Sequence, residues 1–343
     1  MDCRVRSQPF VCVTTDFVES DLEWERREYE AANIIYRTNQ LKTAKSAQLV
    51  AATRDADVLV VDQAQIGREV VAELSSCRLI LRHGDGYDNL DIEAATEAGI
   101  VCANEPGFWS REVAEQALAL ALSLTLKLPI QQTVAREGST RGWNYEKVTP
   151  YWTLGSRTAG IIGFGRTGTF ACKLFSPLAL RVLVHDPSAS KTAIKEAGGV
   201  FVGREELLEA SDIVSIHIPA NPDTIGLFNS ALIGKMKRGA ILINVSRGSI
   251  VDTEALYEAL LRGQLSGAGL DVTNPEPLPQ GHPLFSVPNV IITPHMGWYS
   301  EDALWKLRRQ IVADVCAVRD GKLPLSVINP EVLKSDHRRL NPG

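Results

Sequence analysis

The chain has 343 residues, enough for two domains of ordinary size, and its 45% hydrophobic content can fill two cores. The net charge is -5, with acidic and basic residues interspersed, and the absence of a basic tract argues against a nucleic-acid footprint. Six scattered cysteines (Cys3, Cys12, Cys77, Cys102, Cys172, Cys316) form no CxxC pair, so buried thiols in a reducing compartment are expected rather than disulfides or a metal site. Residues 1–20 hold several charges and no leader-like apolar core, and the most apolar stretch, 117–126, is too short for a membrane span. A cytoplasmic protein without a membrane partner is expected.

Taken in order, residues 10–14 read as a first strand and 21–32 as a charged surface helix. Apolar pieces at 33–36, 57–61 and 78–81 are separated by helical candidates at 43–54 and 66–75, an alternation that predicts a parallel sheet covered on both faces. Within this first α/β unit, 1–106, the run HGDGYDNLD at 83–91 follows a strand. Gly84 and Gly86, on either side of Asp85, suit a loop that offers backbone N–H groups to an anion, although a plain turn into a helix near Leu90 explains them too. Ser110 is a plausible cap for a helix at 111–127. Val113, Ala114, Ala117, Leu118, Leu120, Ala121, Leu122 and Leu124 make that helix apolar on nearly every side, so it is expected to be buried all round, between domains or in a subunit contact. Residues 136–153, with Trp143, Tyr145, Tyr151 and Trp152, read as a packing arm.

From residue 159 the alternation resumes. Strands are predicted at 159–163, 181–185, 200–202, 213–218, 240–245, 267–272 and 289–293, and helices at 167–176, 189–197, 205–210, 229–236 and 253–262, with Asp252 starting the last of these and Gly263 stopping it. This is a complete doubly wound domain, 107–298. The amphipathic stretch 300–320 has no later strand to serve. It is expected to return to the first domain, giving a discontinuous domain of 1–106 plus 299–330, two crossings that act as a hinge, and a flexible polar tail at 331–343. The predicted class is α/β, with two Rossmann-like or flavodoxin-like domains, parallel sheets and a cleft between them.

The second domain opens on GIIGFGRTG at 160–168, a strand running into glycines and then a helix. Gly163, Gly165 and Gly168 have the spacing for a tight turn, a close backbone approach to a diphosphate, and close packing of the helix, whose N-terminal N–H groups point at the ligand. Glycine clusters also serve ordinary turns. The strand at 181–185, however, delivers Asp186 about twenty residues later, where a carboxylate accepts from an adenosine ribose hydroxyl. Its charge would repel a 2'-phosphate, so NAD is expected over NADP.

Three polar residues follow later strands of the same sheet: Arg247, Glu276 and His295. Guanidinium grips a carboxylate in two places, imidazole exchanges a proton near neutral pH, and a carboxylate beside it fixes the tautomer and favours the protonated form. Each has an ordinary alternative, as a domain tie, a solvated loop carboxylate or a structural histidine; together with the nucleotide motif they favour catalysis. His185 and His217 read as core or cofactor-edge residues, His282 as a turn residue and His337 as part of the tail. No cluster has metal-ligand spacing.

At these residues the chain resembles the NAD-dependent D-isomer-specific 2-hydroxyacid dehydrogenases, over residues 10–330. The marks are HGDGYDNLD, GIIGFGRTG, NVSRG at 244–248, GAGLDVTNPEP from 267 and TPHMGW at 293–298. The resemblance implies that Arg247 binds the substrate carboxylate and carbonyl, that His295 is the acid/base, and that Glu276 supports it. Backbone N–H groups around Gly84, Asp85 and Gly86 would then hold the acid. It further implies cofactor contacts from Arg166, Thr167, Pro219, Thr224, Val245, Asp271, His295 and Gly297 besides the glycines and Asp186, and a homodimer formed mainly through the cofactor domain, which would account for the helix at 111–127. The implied reaction is hydride transfer between NAD(H) and a D-2-hydroxy acid/2-oxo acid pair, chiefly as 2-oxo acid reduction. Asp85 departs from the family's usual small or apolar residue: it points away, binds an additional substrate group, or signals an unusual substrate. Residues 298–301, Trp298-Tyr299-Ser300-Glu301, resemble the C-terminal-binding corepressors of the same family, which supplies the alternative of an NAD(H)-sensing protein-binding module with little turnover.

Overall fold

Short runs of branched aliphatic residues, bounded by turn residues, build two all-parallel sheets in this computed structural model, which describes residues 9–19, 21–141 and 145–340. The expectations for Cys3, Trp143, the side chain of Tyr145, Pro342 and Gly343 fall outside the described residues. In chain order, β1 (Phe10–Thr14), α1 (Glu23–Ala31), β2 (Ile34–Thr38), α2 (Ser46–Thr53), β3 (Val58–Val61), α3 (Arg68–Ala72), β4 (Leu79–Arg82), α4 (Ile92–Glu97) and β5 (Val101–Ala103) come first. Two helices follow, α5 (Ser110–Thr125) and α6 (Leu128–Arg141). The second alternation is β6 (Thr158–Ile162), α7 (Arg166–Phe175), β7 (Arg181–His185), α8 (Lys191–Glu196), β8 (Val200–Phe201), α9 (Arg204–Ala210), β9 (Ile213–Ile216), α10 (Ser230–Gly234), β10 (Ala240–Asn244), α11 (Thr253–Leu261), β11 (Leu265–Leu270) and β12 (Val290–Ile292), and α12 (Glu301–Arg319) is the last α-helix among the described residues.

The chain folds as two units, Met1–Phe108 with Glu301–Gly343, and Trp109–Ser300. Strand order in the first is β2-β1-β3-β4-β5, the flavodoxin-like order. β3 is buried at every position, as expected of a parallel strand covered on both faces. β5 is not among the expected strands, because its run Ile100-Val101-Cys102-Ala103 ends in two residues of weak strand preference. α12 lays Leu304, Leu307, Ile311 and Val315 into this unit and is tied to α1 by a buried ion pair between Arg308 and Glu25, Nη2 to Oε2 2.7 Å.

Residues 331–340 do not form the expected loose tail. Val332 and Leu340 are buried, and the Arg339 N–H donates to Gly99 O at 2.8 Å. The polar composition misled because these residues satisfy backbone groups of the first unit rather than solvent.

In the second unit the order is β12-β11-β10-β9-β6-β7-β8. The chain reverses direction of growth between β6 and β9, and the carboxyl ends there form the crevice in which such sheets take ligands. Asp252 caps α11 by accepting from the N–H groups of Glu254 and Ala255, and Gly263 ends it at φ +63°. Two helix expectations need correction. Ser110 is not a cap but the first residue of α5, with Trp109 at the cap position. Nor is α5 buried all round within the chain: Ala114, Ala117, Leu120, Ala121 and Leu124 pack on the sheet side, whereas Val113, Leu118 and Leu122 are half-buried and Ala119 is exposed. The part of the arm before residue 142 is helical, since Lys127 at φ +54° breaks α5 and lets α6 start afresh.

Among the described residues no single helix is long and apolar enough to cross a membrane; α5 with Leu128–Glu137 reaches that composition only as a pair bent by 51°. The described cysteines are free thiols, buried except for the half-buried Cys316.

Candidate active site

The glycine turn after β6 divides its work among three residues. Gly163 has φ +93°, and a side chain there would meet His217 O at 2.6 Å, so the turn can pass beneath β9 only without one. A Cβ on Gly168 would stand 2.1 Å from Gly163 O, which shows how closely α7 rides on the turn. Gly165 meets nothing within 4 Å and occupies the cap position of α7 with no side chain capping the helix. The first N–H groups of α7, at Arg166, Thr167 and Gly168, thus border open space at the positive end of a ten-residue helix, an arrangement suited to a diphosphate.

Asp186, just past β7, accepts from Phe164 N–H at 2.8 Å and from the N–H and hydroxyl of Ser188. Burial pushes its carboxyl up, but these donors outweigh it and hold the pKa below the usual carboxylate range, so a fixed negative charge stands beside the turn. His217, at the end of β9, bonds Ser215 Oγ through Nε2 at 2.8 Å, and burial lowers its pKa to about 4. It stays neutral behind the glycines. Pro219 and Thr224 shape the loop that follows, with Thr224 Oγ1 donating to Pro219 O at 2.6 Å.

The next strand ends carry the polar residues in spatial order. After β10 comes the buried Val245, and Asn244, fully buried, donates to Arg247 O at 2.9 Å while accepting Ser246 N–H at 3.1 Å, which sets the turn bearing Arg247. After β11 come Asp271 and Glu276, and after β12, His295. Strand spacing of about 4.8 Å puts β10 roughly 10 Å and β12 roughly 19 Å from β6 along the sheet. His295 Nδ1 lies 2.6 Å from Glu276 Oε1, both half-exposed. Burial raises the Glu276 carboxyl, but His295, the Thr273 N–H and the charge of Arg247 together draw it down. Glu276 is therefore a carboxylate paired with an imidazole, within electrostatic reach of the guanidinium.

His295 adopts φ +55°, unusual for a side-chain-bearing residue, and what holds it there is not legible in the local sequence. Asp271, 3% exposed, accepts from Met296 N–H at 2.9 Å, Gly297 N–H at 2.8 Å and Thr293 Oγ1 at 2.6 Å, while its carbonyl takes His295 N–H. Gln116 on α5 donates to Thr293 Oγ1 at 3.0 Å. Asp271 and Gly297, expected as cofactor contacts, here buttress the histidine loop. No local pattern could have revealed Gln116, which acts across 177 positions.

In the first unit, the loop after β4 carries Gly84, Asp85 and Gly86. Gly84 has φ +151°, and its N–H already donates to Arg82 O at 2.8 Å, which corrects the expectation that it is available to an anion. Asn104 Nδ2 donates to Asp85 O at 2.7 Å and approaches Asp85 Oδ1 at 3.4 Å. Asp85 thus leans toward Asn104. Of residues 298–301, Trp298 meets Trp109 and Tyr299 edge to face, and Ser300 Oγ donates to Glu112 at 2.9 Å. Among the described residues no group of three His, Cys, Asp or Glu is placed to hold a metal ion.

The family profile described as D-isomer specific 2-hydroxyacid dehydrogenase, NAD binding domain, matches residues 118–297. A glyoxylate reductase of Korarchaeum cryptofilum is 34% identical over 288 residues, covering 83% of this chain and 86% of that one. The chain belongs to the D-isomer specific 2-hydroxyacid dehydrogenases. A D-3-phosphoglycerate dehydrogenase of Archaeoglobus fulgidus is 35% identical over 83% of this chain and 54% of its own length. The crystal structure of an Aquifex aeolicus D-lactate dehydrogenase complexed with NAD and lactic acid superposes with a TM-score of 0.80 at 27% identity, covering 93% of this chain and 98% of that one. This dehydrogenase is accordingly an NAD-binding oxidoreductase that passes a hydride between 2-hydroxy acids and 2-oxo acids.

Proposed function

We propose that the dehydrogenase works chiefly as a reductase of small 2-oxo acids, with Arg247, Glu276 and His295 as its catalytic residues. The observation that carries this reading is the 2.6 Å pair of Glu276 and His295, on the loops after β11 and β12, with Arg247 after the adjacent β10 acting electrostatically on the same carboxylate. Arg247 grips the acid's carboxylate and carbonyl through its planar fork. Glu276 accepts a hydrogen bond from Nδ1–H of His295, which fixes the ring and leaves Nε2–H to protonate the carbonyl oxygen. Bound NADH supplies the hydride. In the reverse sense His295 accepts the hydroxyl proton of a D-2-hydroxy acid. Backbone N–H groups of Asp85 and Gly86 receive the carboxylate in the loop of the first unit.

The second unit is the cofactor domain and the first the substrate domain. Gly163, Gly165, Arg166, Thr167 and Gly168 take the diphosphate, Asp186 the adenosine ribose, and Pro219, Thr224, Val245, Asp271, His295 and Gly297 the nicotinamide half. The fixed charge of Asp186 supports NAD over NADP. The half-buried apolar residues of α5 support a homodimer through the cofactor domain. The reading places the enzyme in the cytoplasm, without nucleic-acid or membrane partners.

The test is NADH oxidation with glyoxylate, pyruvate, hydroxypyruvate, phosphohydroxypyruvate and larger 2-oxo acids, repeated with NADPH and with Arg247→Ala and His295→Ala. Loss of the proton donor should lower kcat by about 100-fold or more, and loss of the guanidinium should fall on kcat/KM. Full activity of either variant removes that residue from its role.

A further inference from the structure

The loop assigned to the acid in that reading rests on a buried charge pair that the reaction itself does not use. The segment after β1 is bolted to the segment after β3: Asp16, 2% exposed, accepts the N–H groups of Asp62, Gln63 and Ala64 at 3.2, 2.7 and 3.1 Å. From this fixed point Glu19 turns inward. Its side chain is 2% exposed, accepts Val18 N–H at 3.1 Å, and places Oε1 2.9 Å from Nε2 of His83, itself 10% exposed. His83 continues β4, its N–H donating to Val61 O at 2.7 Å, and the next residue is Gly84. Arg82 forms the parallel tie, 3.1 Å from Asp62, and its guanidinium also donates to His83 O.

We infer that Glu19 and His83 are positioning residues for the substrate loop 84–86, fixing how it receives the 2-oxo acid without touching the acid. The inference rests on the proposed use of that loop. Glycine at 84 leaves the loop little stiffness of its own, so its geometry is imposed from below, and an ion pair shielded from water imposes it more firmly than an exposed one. Arg82, through Asp62 and His83 O, fixes the strand end, and Glu105 N–H and Asn104 hold Gly84 O and Asp85 O beyond it; Glu19 fixes the imidazole at the base of the loop.

The pair also makes the loop sensitive to pH. Burial lowers the imidazole's affinity for a proton, yet Glu19, helped by Asp62 and opposed by Arg82, raises the His83 pKa above its ordinary value. Burial likewise raises Glu19, and His83, its own backbone N–H and the more distant Arg308 bring it below the usual range. The ion pair is intact where His83 is protonated and is lost as pH rises through that raised pKa. Asp16 also faces this cluster, on the side of Asp62.

The experiment measures KM for glyoxylate, kcat and the NADH dissociation constant by protein fluorescence, from pH 6 to 9, for the native chain, Glu19→Gln and the double variant Glu19→Gln/His83→Gln. Glu19→Gln should raise KM about tenfold at pH 7, with kcat within about twofold and NADH affinity unchanged. The alkaline rise in KM of the native enzyme should vanish in both variants, and the double variant, which restores an uncharged hydrogen bond, should recover KM to within about threefold. An unchanged KM in a folded Glu19→Gln, or a native-like alkaline rise in the double variant, overturns the inference. Failure of the native chain to reduce any 2-oxo acid refutes the proposed reaction instead, and NADH binding by all three proteins separates that case from misfolding.

Discussion

Glu105 lies fully buried beside Asp314 of α12, and its N–H donates to Gly84 O at 2.9 Å. Burial and that second carboxyl raise its pKa to about 9, so the pair holds a proton at neutral pH. A carboxyl raised above its unfolded value contributes stability fully present below about pH 4.3, and loses it as pH climbs toward 9. Glu105→Gln, permanently neutral, should therefore be more stable than the native chain at pH 8, by about 2 kcal/mol, with the gap closing at pH 5; urea titrations at the two pH values measure it. At this scale the pairing of Glu276 with His295 is legible from residue type and from position after adjacent strands. Their supports are not: Asp271 and Thr293 stand in conspicuous motifs, and Gln116 in none, but their ties to the histidine loop exist only once the folded sheet brings them together.

The glycine turn separates packing from the proposed cofactor binding within a single element. Gly168→Ala drives a methyl group into Gly163 O, a backbone atom that cannot yield, and should cost about 3 kcal/mol or more of stability. Gly165→Ala meets open space at an ordinary φ of -71°, and should melt with the native chain while losing about tenfold or more in NADH affinity. Thermal melting with calorimetric NADH titration distinguishes the two, and equal loss of stability in both would refute this division. Most elements of the second unit are readable because apolar runs and turn residues alternate there without interruption. β5 escapes notice because Cys102 and Ala103 leave only Ile100 and Val101 as strand-favouring residues of its run, and α6 because Pro129 in its first turn, after the left-handed Lys127, reads equally well as the stop of α5. α5 looks more buried in sequence than it is, since its alanines and leucines surround the axis while the sheet covers one side.

For the molecule as a whole, that uncovered side is where the proposed dimer would form. Leu118→Asp/Leu122→Asp should convert the proposed dimer to a monomer in sedimentation while leaving the circular dichroism unchanged, because neither leucine is fully buried within the chain. Two-domain organisation is visible in the sequence as a helix, α12, with no later strand to serve; the docking of residues 331–340 is not, because charge and proline mimic a solvated end.

Asn329 gives this discontinuity a cost in time. It is fully buried, with Oδ1 accepting Cys102 N–H at 2.7 Å and Nδ2 donating to Ile100 O and the Thr96 hydroxyl, while Val327 bridges Ala103 beside it. These residues seal the outer edge of β5, yet Asn329 is synthesised 227 positions after Cys102. At ribosomal speeds the nascent chain carries a bare strand edge for roughly ten to forty-five seconds. The contiguous cofactor unit can fold during that interval, while the unit that began first must wait to be finished last.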